Sequence, residues 1–261
     1  MHAKPEIPGT GPQQNDRAQP YLPGERTNGE GRPIRNRILL ALPDSEFQSL
    51  RHLLSFEYLP RHTSLHDPTE KIEFVHFPNR GLVSLIVGTR DGKTVEVGVI
   101  GNESLVGIPA MVGLPRNPHR AVVQLAGDGF RVSVDALQAA LPHASNLRNI
   151  ASRHAVIQGI QAAQSAACNR LHGIEQRLAR WLLIMQDRVD NGSLYITHDF
   201  LATMLGTDRP SVTLAAGLLQ KKGSIEYTRG SVRIVNRKLL EESSCECYEI
   251  LQQFNGPLGL R

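Results

Sequence analysis

The chain has 261 residues, with 29 Lys and Arg against 25 Asp and Glu, a net charge of +4, and 40% apolar residues. That length allows two domains, each with a core of its own. Three cysteines exclude a disulfide framework, and no apolar run approaches the ~18 residues of a membrane span or makes a signal core, so a cytoplasmic protein is expected.

Residues 1–35 hold six Pro and five Gly and few large apolar side chains. A segment of that composition cannot bury a core, and a disordered arm is expected. From Asn36 to about Pro60 the pattern is helical. Ile38, Leu39, Leu42, Phe47, Leu50, Leu53 and Leu54 share one face, with a break and restart at Pro43-Asp44-Ser45. Strands follow: Glu73 to Phe77, the turn Pro78-Asn79-Arg80-Gly81, Leu82 to Val87, the hairpin signal Asp91-Gly92, and Thr94 to Ile100. Ala121 to Leu125 and Phe130 to Val134 flank the turn Gly127-Asp128-Gly129. Residues 36–143 therefore read as an antiparallel β-barrel or jelly roll.

Residues 144–172 read as one long helix. Leu147, Ile150, His154, Ile157, Gln161, Gln164, Cys168 and Leu171 alternate spacings of three and four. Small neighbours such as Ala155, Gly159 and Ala166 allow close approach of a partner helix. Two readings stand: a parallel homodimer seam through Ile150, His154, Ile157, Gln161, Gln164 and Cys168, or packing on the chain's own domain. The small neighbours favour the seam.

Residues 173–250 form the most informative segment. Glu175 to Val189 is an amphipathic helix through Leu178, Trp181, Leu182 and Met185. Thr197 then stands where a cap is needed, before a short helix whose apolar face is Leu201, Ala202 and Leu205. Gly206 marks a sharp turn. A second helix follows, with Val212 and Leu218-Leu219 inward and Arg209, Ser211 and Thr213 outward. Two short strands, Ile225 to Tyr227 and Val232 to Val235, enclose the turn Thr228-Arg229-Gly230-Ser231. This is the order of a winged helix-turn-helix, whose second helix enters the DNA major groove. Arg209, Ser211 and Thr213 are the expected recognition face. Thr197, Thr207, Lys221, Arg229 and Arg233 are expected to touch phosphates. From Leu171 to Lys238 there are ten Lys and Arg against six Asp and Glu, a balance of +4. The rest, Leu239 to Arg261, carries −3. Positive charge thus concentrates where phosphates would lie.

The fold class expected is α+β, in five parts: arm 1–35, barrel 36–143, long helix 144–172, winged helix 173–250 and tail 251–261. That order, with Arg177-Leu178-Ala179 and the run Thr197 to Thr213, resembles the Crp/Fnr family of bacterial transcription regulators over roughly residues 36–250. The resemblance implies a homodimer on a palindromic double-stranded DNA operator, with RNA polymerase as a further partner. Arg209 matches the family's guanine-reading arginine, and its guanidinium can donate twice to guanine O6 and N7. The next family residue is usually Glu; here it is Pro210, which cannot accept from cytosine N4. Leu214 replaces a second base-reading arginine, leaving it a thymine methyl to touch or a place in the core.

The family's cyclic-nucleotide contacts are altered. The candidate ligand-pocket residues are Gly101, Gly107, His119, Arg120 and Ala121. Ile108 stands at the ribose-glutamate position, and Arg120 is shifted by one in the phosphate motif. Ala162 and Ala163 replace two hydroxyl residues facing the adenine. Each loss leaves a ligand polar group unpaired at ~1–3 kcal/mol, so cyclic AMP is not expected to bind and no cofactor is expected.

Three cysteines are too few for a four-thiolate cubane cluster. Cys245-Glu246-Cys247 is too short for a usual zinc knuckle; a redox-active pair and two ordinary thiols are both open. His62, His66, His76 and His154 have no strong ligand spacing, and no metal is expected. No Gly-x-Ser-x-Gly, phosphate loop or zinc-protease helix occurs, so a regulator is expected rather than an enzyme. The rival reading is a small-molecule, haem or redox sensor acting mainly through protein contacts.

Overall fold

A computed structural model describes residues 21–189, 193–228 and 230–255. Two short helices, α1 (Arg37–Leu40) and α2 (Asp44–Leu50), come first. Then come β1 (Ser55–Leu59), β2 (Ser64–His66), β3 (Phe74–Gly88), β4 (Thr94–Ile100), α3 (Ile108–Met111) and β5 (Arg120–Ser133). Helices α4 (Val134–Ala140), α5 (Ser145–Leu171) and α6 (Ile174–Gln186) follow. The C-terminal part comprises β6 (Ser193–Leu194), α7 (His198–Leu205), α8 (Arg209–Lys221), β7 (Ile225–Thr228), β8 (Ser231–Ile234), α9 (Arg237–Ser243) and α10 (Cys247–Asn255).

The N-terminal strands make one antiparallel sheet in the order β1-β5-β3-β4, with β2 also on β5. It is jelly-roll-like and open rather than a closed barrel. Ser55–Leu59 is a strand where a continuing helix was expected. The two glycine turns expected near residues 80 and 128 do not end strands either. β3 and β5 run through them, and their register slips there between Pro78 and Val83. Gly81 has φ +84°, and a Cβ on it would lie 2.5 Å from the Leu125 carbonyl oxygen. The glycines let two long strands bend together instead of turning back.

Residues 21–35 are a strap on the sheet domain, not the expected arm; residues 1–20 lie outside the described residues. Ile34 is fully buried in the core with Ile38, Phe47, Phe77 and Phe130. The Arg26 guanidinium lies 4.5 Å over the Phe47 ring, donates to the Leu39 carbonyl at 2.9 Å and pairs with Asp44 at 2.7 Å. One arginine and one isoleucine anchor what its Pro and Gly content hides.

Helix α5 spans the expected residues. At its start the buried Glu46 carboxylate accepts from the backbone N–H groups of Leu147 at 2.6 Å and Asn146 at 3.1 Å, which caps the helix and meets its dipole. Much of the stripe expected at a dimer seam already has partners within the chain. Ile150 packs on the sheet-domain core, His154 and Cys168 are buried, and Ile157, Gln161 and Gln164 are half-buried. The outward face is made of Val156, Gly159, Ala163, Ala166, Ala167 and Arg170.

Helix α6 joins the halves. Leu178, Ala179, Arg180, Trp181, Leu182, Leu183 and Met185 are all buried, so it is covered on nearly every side. Its core includes Leu82 and Val99 from the sheet and Leu201, Val212, Leu219 and Val232 from the C-terminal part. Polar contacts cross the same junction. The Trp181 indole N–H donates to Glu96 at 2.8 Å, Ser84 donates to Glu96 at 2.5 Å, and Arg188 Nε meets Glu103 at 2.8 Å.

Burial pushes the Glu96 carboxyl up to about 7, against the donors that favour its charge. The folded chain therefore holds a proton there that the unfolded chain, at about 4.5, gives up. This contribution is complete below 4.5 and is lost as pH rises through 7. Glu96→Gln is expected to flatten this slope and stabilise the chain by ~1–3 kcal/mol at pH 8. Denaturant melts of both proteins at pH 5.5 and 8 check it; equal slopes would contradict it.

Candidate nucleic-acid interface

The helix-turn-helix forms as its residues dictate. Thr197 caps α7 by accepting the Phe200 N–H at 3.2 Å. Gly206 ends it in the left-handed region at φ +58°. Arg177 donates to the Leu205 carbonyl, one of the free groups at the end of α7. Asp208 then caps α8: its carboxylate accepts the Ser211 N–H at 2.8 Å and the Ser211 hydroxyl at 3.0 Å, which holds it below the usual carboxylate range. Pro210 sits in the first turn, where its missing N–H costs no helical bond.

The inner face of α8 is Val212, Ala215, Ala216 and Leu219. Leu218 lies outside it, 41% exposed, contrary to expectation. Leu214 is 68% exposed, so of its two open fates burial in the core is removed. Arg209, Pro210, Thr213 and Leu214 share the exposed outer surface. Arg209 lies 3.6 Å from Asp199, both open to water, a pair worth little and easily exchanged. Thr213 donates to the Arg209 carbonyl at 3.0 Å and lies 2.9 Å from His198 Nδ1. The His198 ring stacks on Tyr227 with centroids 4.1 Å apart. Burial first, and then the nearby Arg209 charge, lower the His198 pKa.

Strands β6, β8 and β7 form the three-stranded wing sheet. Arg233 on β8 is held by Glu226 at 2.5 Å. Arg229 lies outside the described residues. Thr207 is half-buried, its N–H bonded to the Ala202 carbonyl at 2.9 Å. Lys221 is exposed at the far end of α8 from Arg209, ~18 Å along the axis. The structure thus brings Arg209, Pro210, Ser211, Thr213 and Thr197 to one end and Lys221 to the other. Ser211 is committed to the cap rather than pointing free. Sequence reasoning missed Asp208 and His198, although Asp two residues before a Pro is a usable cap signal.

The sheet domain holds a second feature, a cavity of about 320 Å³ closed by α5. Leu85, Val97, Val99, Ile108, Val112 and Leu114 give it an apolar lining, with Ala162 on its helical wall. Of the five expected pocket residues, Gly107 and His119 line it. Arg120 does not: it pairs with Asp67 at 2.6 Å with its side chain half exposed. Ala121 belongs to the core beneath, and Gly101 lies against Glu103 and Arg188. His66, also on the wall, is driven down to about 4 by burial and then by His76 and His119, so it is neutral at physiological pH.

Residues 176–243 match the Crp-like helix-turn-helix domain family. The chain carries a Crp-like helix-turn-helix domain. FixK2 from Bradyrhizobium japonicum superposes with TM-score 0.65 at 15% identity, covering 74% of this chain and 98% of that one. The c-di-GMP responsive global regulator CLP from Xanthomonas campestris gives 0.61 at 15%, covering 73% and 98%. TTHB099, a CRP-family transcriptional regulator from Thermus thermophilus, gives 0.58 at 18%, covering 72% and 96%. No curated protein matches the chain. The family match covers the helix-turn-helix alone, and the three regulators share the fold of the larger part of the chain. Among the described residues no helix is long and apolar enough to cross a membrane.

Asp208→Ala removes the cap of α8 and leaves its N–H groups unpaired. It should cost ~1 kcal/mol of stability, read in urea melts, and weaken DNA binding by loosening the first turn. A melt unchanged from wild type would contradict the capping role.

Proposed function

We propose that the protein works in the cytoplasm as a homodimer on a palindromic operator of its own sequence, without responding to cyclic AMP, and is not an enzyme. RNA polymerase is the protein partner that the family resemblance implies. One observation carries the DNA reading: a capped helix, fixed on its inner face, presents Arg209 unburied at its N-terminal end. Arg209 reads a guanine, Leu214 lies against a thymine methyl, and Thr213 and His198 flank them. Thr197, Thr207, Lys221, Arg229 and Arg233 supply phosphate contacts.

The dimer is proposed through the outward face of α5. Val156, 64% exposed, lies with Gly159, Ala163 and Ala167 on one stripe, and their small size lets two backbones approach. A palindromic operator requires that the two-fold axis set the two copies of α8 about one DNA turn apart, ~34 Å. The apolar cavity supports the reading that cyclic AMP is not the effector. Among the described residues its lining includes no Lys or Arg for a cyclic phosphate, and Arg120 is engaged by Asp67. An apolar molecule suits that lining better.

The test is binding to the preferred operator duplex, followed by fluorescence anisotropy. Arg209→Ala should cost ~1–3 kcal/mol per half-site and relax preference at one base pair. Lys221→Ala should weaken all sequences alike. Unchanged preference with Arg209→Ala would refute its assignment, and an affinity that rises with cyclic AMP would refute the ligand reading.

A further inference from the structure

All three cysteines of the chain meet at one place. Cys168 on the last turn of α5, His172 just beyond it, Cys245 just before α10 and Cys247 at its first residue bring three sulfurs and a ring nitrogen within 4.8 Å of one another. Cys168 and Cys245 lie 3.5 Å apart, and Cys247 Sγ lies 3.5 Å from His172 Nδ1. The three cysteines are buried and His172 is half-buried. Sequence reasoning passed over the group because its halves are some 75 residues apart in the chain. The usable signal was Cys168 and His172 at i and i+4 across the end of a helix, where the His172 N–H bonds the Cys168 carbonyl at 3.1 Å.

We propose that Cys168, His172, Cys245 and Cys247 form a mononuclear binding site for a thiophilic divalent cation of the zinc class. The spacing suits one tetrahedral ion. With Zn–S of about 2.3 Å and Zn–N of about 2.0 Å, such an ion sets sulfurs about 3.8 Å apart and sulfur and nitrogen about 3.5 Å apart. A cubane cluster would need its four ligands spread wider. Soft thiolates with one imidazole select zinc over magnesium or calcium.

The surroundings fit the same role. His172 Nε2 lies 3.2 Å from the Glu246 carboxylate, the usual outer partner that turns a ligating imidazole and fixes its tautomer. Gln164 donates to Cys247 Sγ at 3.0 Å, as a donor to a thiolate would. Arg180, buried, and Arg177 act electrostatically on this sulfur cluster. Three thiolates around a divalent ion leave one negative charge, which these guanidinium groups offset. Because Cys168 and His172 frame the joint between α5 and α6, the ion would tie that joint to the C-terminal helix. It would so fix how the DNA-binding part leaves the long helix.

The full-length protein, reduced and stripped with a chelator, is titrated anaerobically with Co(II) and then Zn(II). The expected result is one Co(II) per chain, with visible bands of tetrahedral geometry and thiolate charge transfer, displaced by Zn(II). Cys245→Ser and His172→Ala should each weaken Co(II) binding more than about tenfold, and Glu246→Gln, which keeps every ligand atom, by about tenfold. The wild-type titration stands whether or not the variants fold. No Co(II) uptake by the reduced protein overturns the site. So does a spectrum unchanged in Cys245→Ser. So does protein purified without chelator that is metal-free and carries a Cys168–Cys245 disulfide.

Discussion

Everything that the C-terminal half can do depends on the burial of helix α6. One side of it carries the core beneath the recognition helix, through Leu178, Leu182, Val212 and Leu219. Another lies against the sheet, where Trp181 reaches Glu96 and Arg188 reaches Glu103. Its apolar residues, with Arg180, are buried on nearly every side. It is held between two layers, and the recognition helix inherits its position from it. The junction also contains the Glu96 carboxyl, which burial pushes up to about 7.

The same helix connects the other features. Its start, at Gly173, follows the Cys168 and His172 pair directly, and Arg177 in its first turn secures the end of α7. Its end carries Asp187, which accepts from Tyr248 at 2.8 Å and pairs with Arg237 at 2.9 Å, so α9 and α10 are fastened to it. The apolar cavity lies one layer away, walled by α5. A molecule seated there would press on α5, and α5 leads straight into α6. Cavity, cysteine cluster and DNA-binding helices are thus in mechanical contact through two helices.

The winged helix was legible in the sequence because each of its signals is local. Thr197 as a cap, Gly206 as a turn and the hairpin around Gly230 act through neighbours a few residues away. Helix α5 was legible in extent for the same reason. Its orientation was not, since a heptad-like stripe says that a face is buried and not by what. The strap was hidden because its anchoring rests on Arg26 and Ile34 meeting residues from α1 and α2. Likewise Gly81, Gly127 and Gly129 read locally as turns, while their use comes from one strand crossing another. The cysteine cluster needed the fold itself. In α8 the exposed place of Arg209 was legible from its position, but the commitment of Ser211 to Asp208 emerged only from the geometry.

The most direct measurement of the central claim is selection from a random duplex DNA library by the purified protein, repeated at several salt concentrations. The account predicts one enriched, two-fold symmetric sequence with half-sites about one turn apart. It also predicts an affinity whose logarithm falls linearly with the logarithm of salt. Enrichment of no sequence, or binding indifferent to salt, would contradict it.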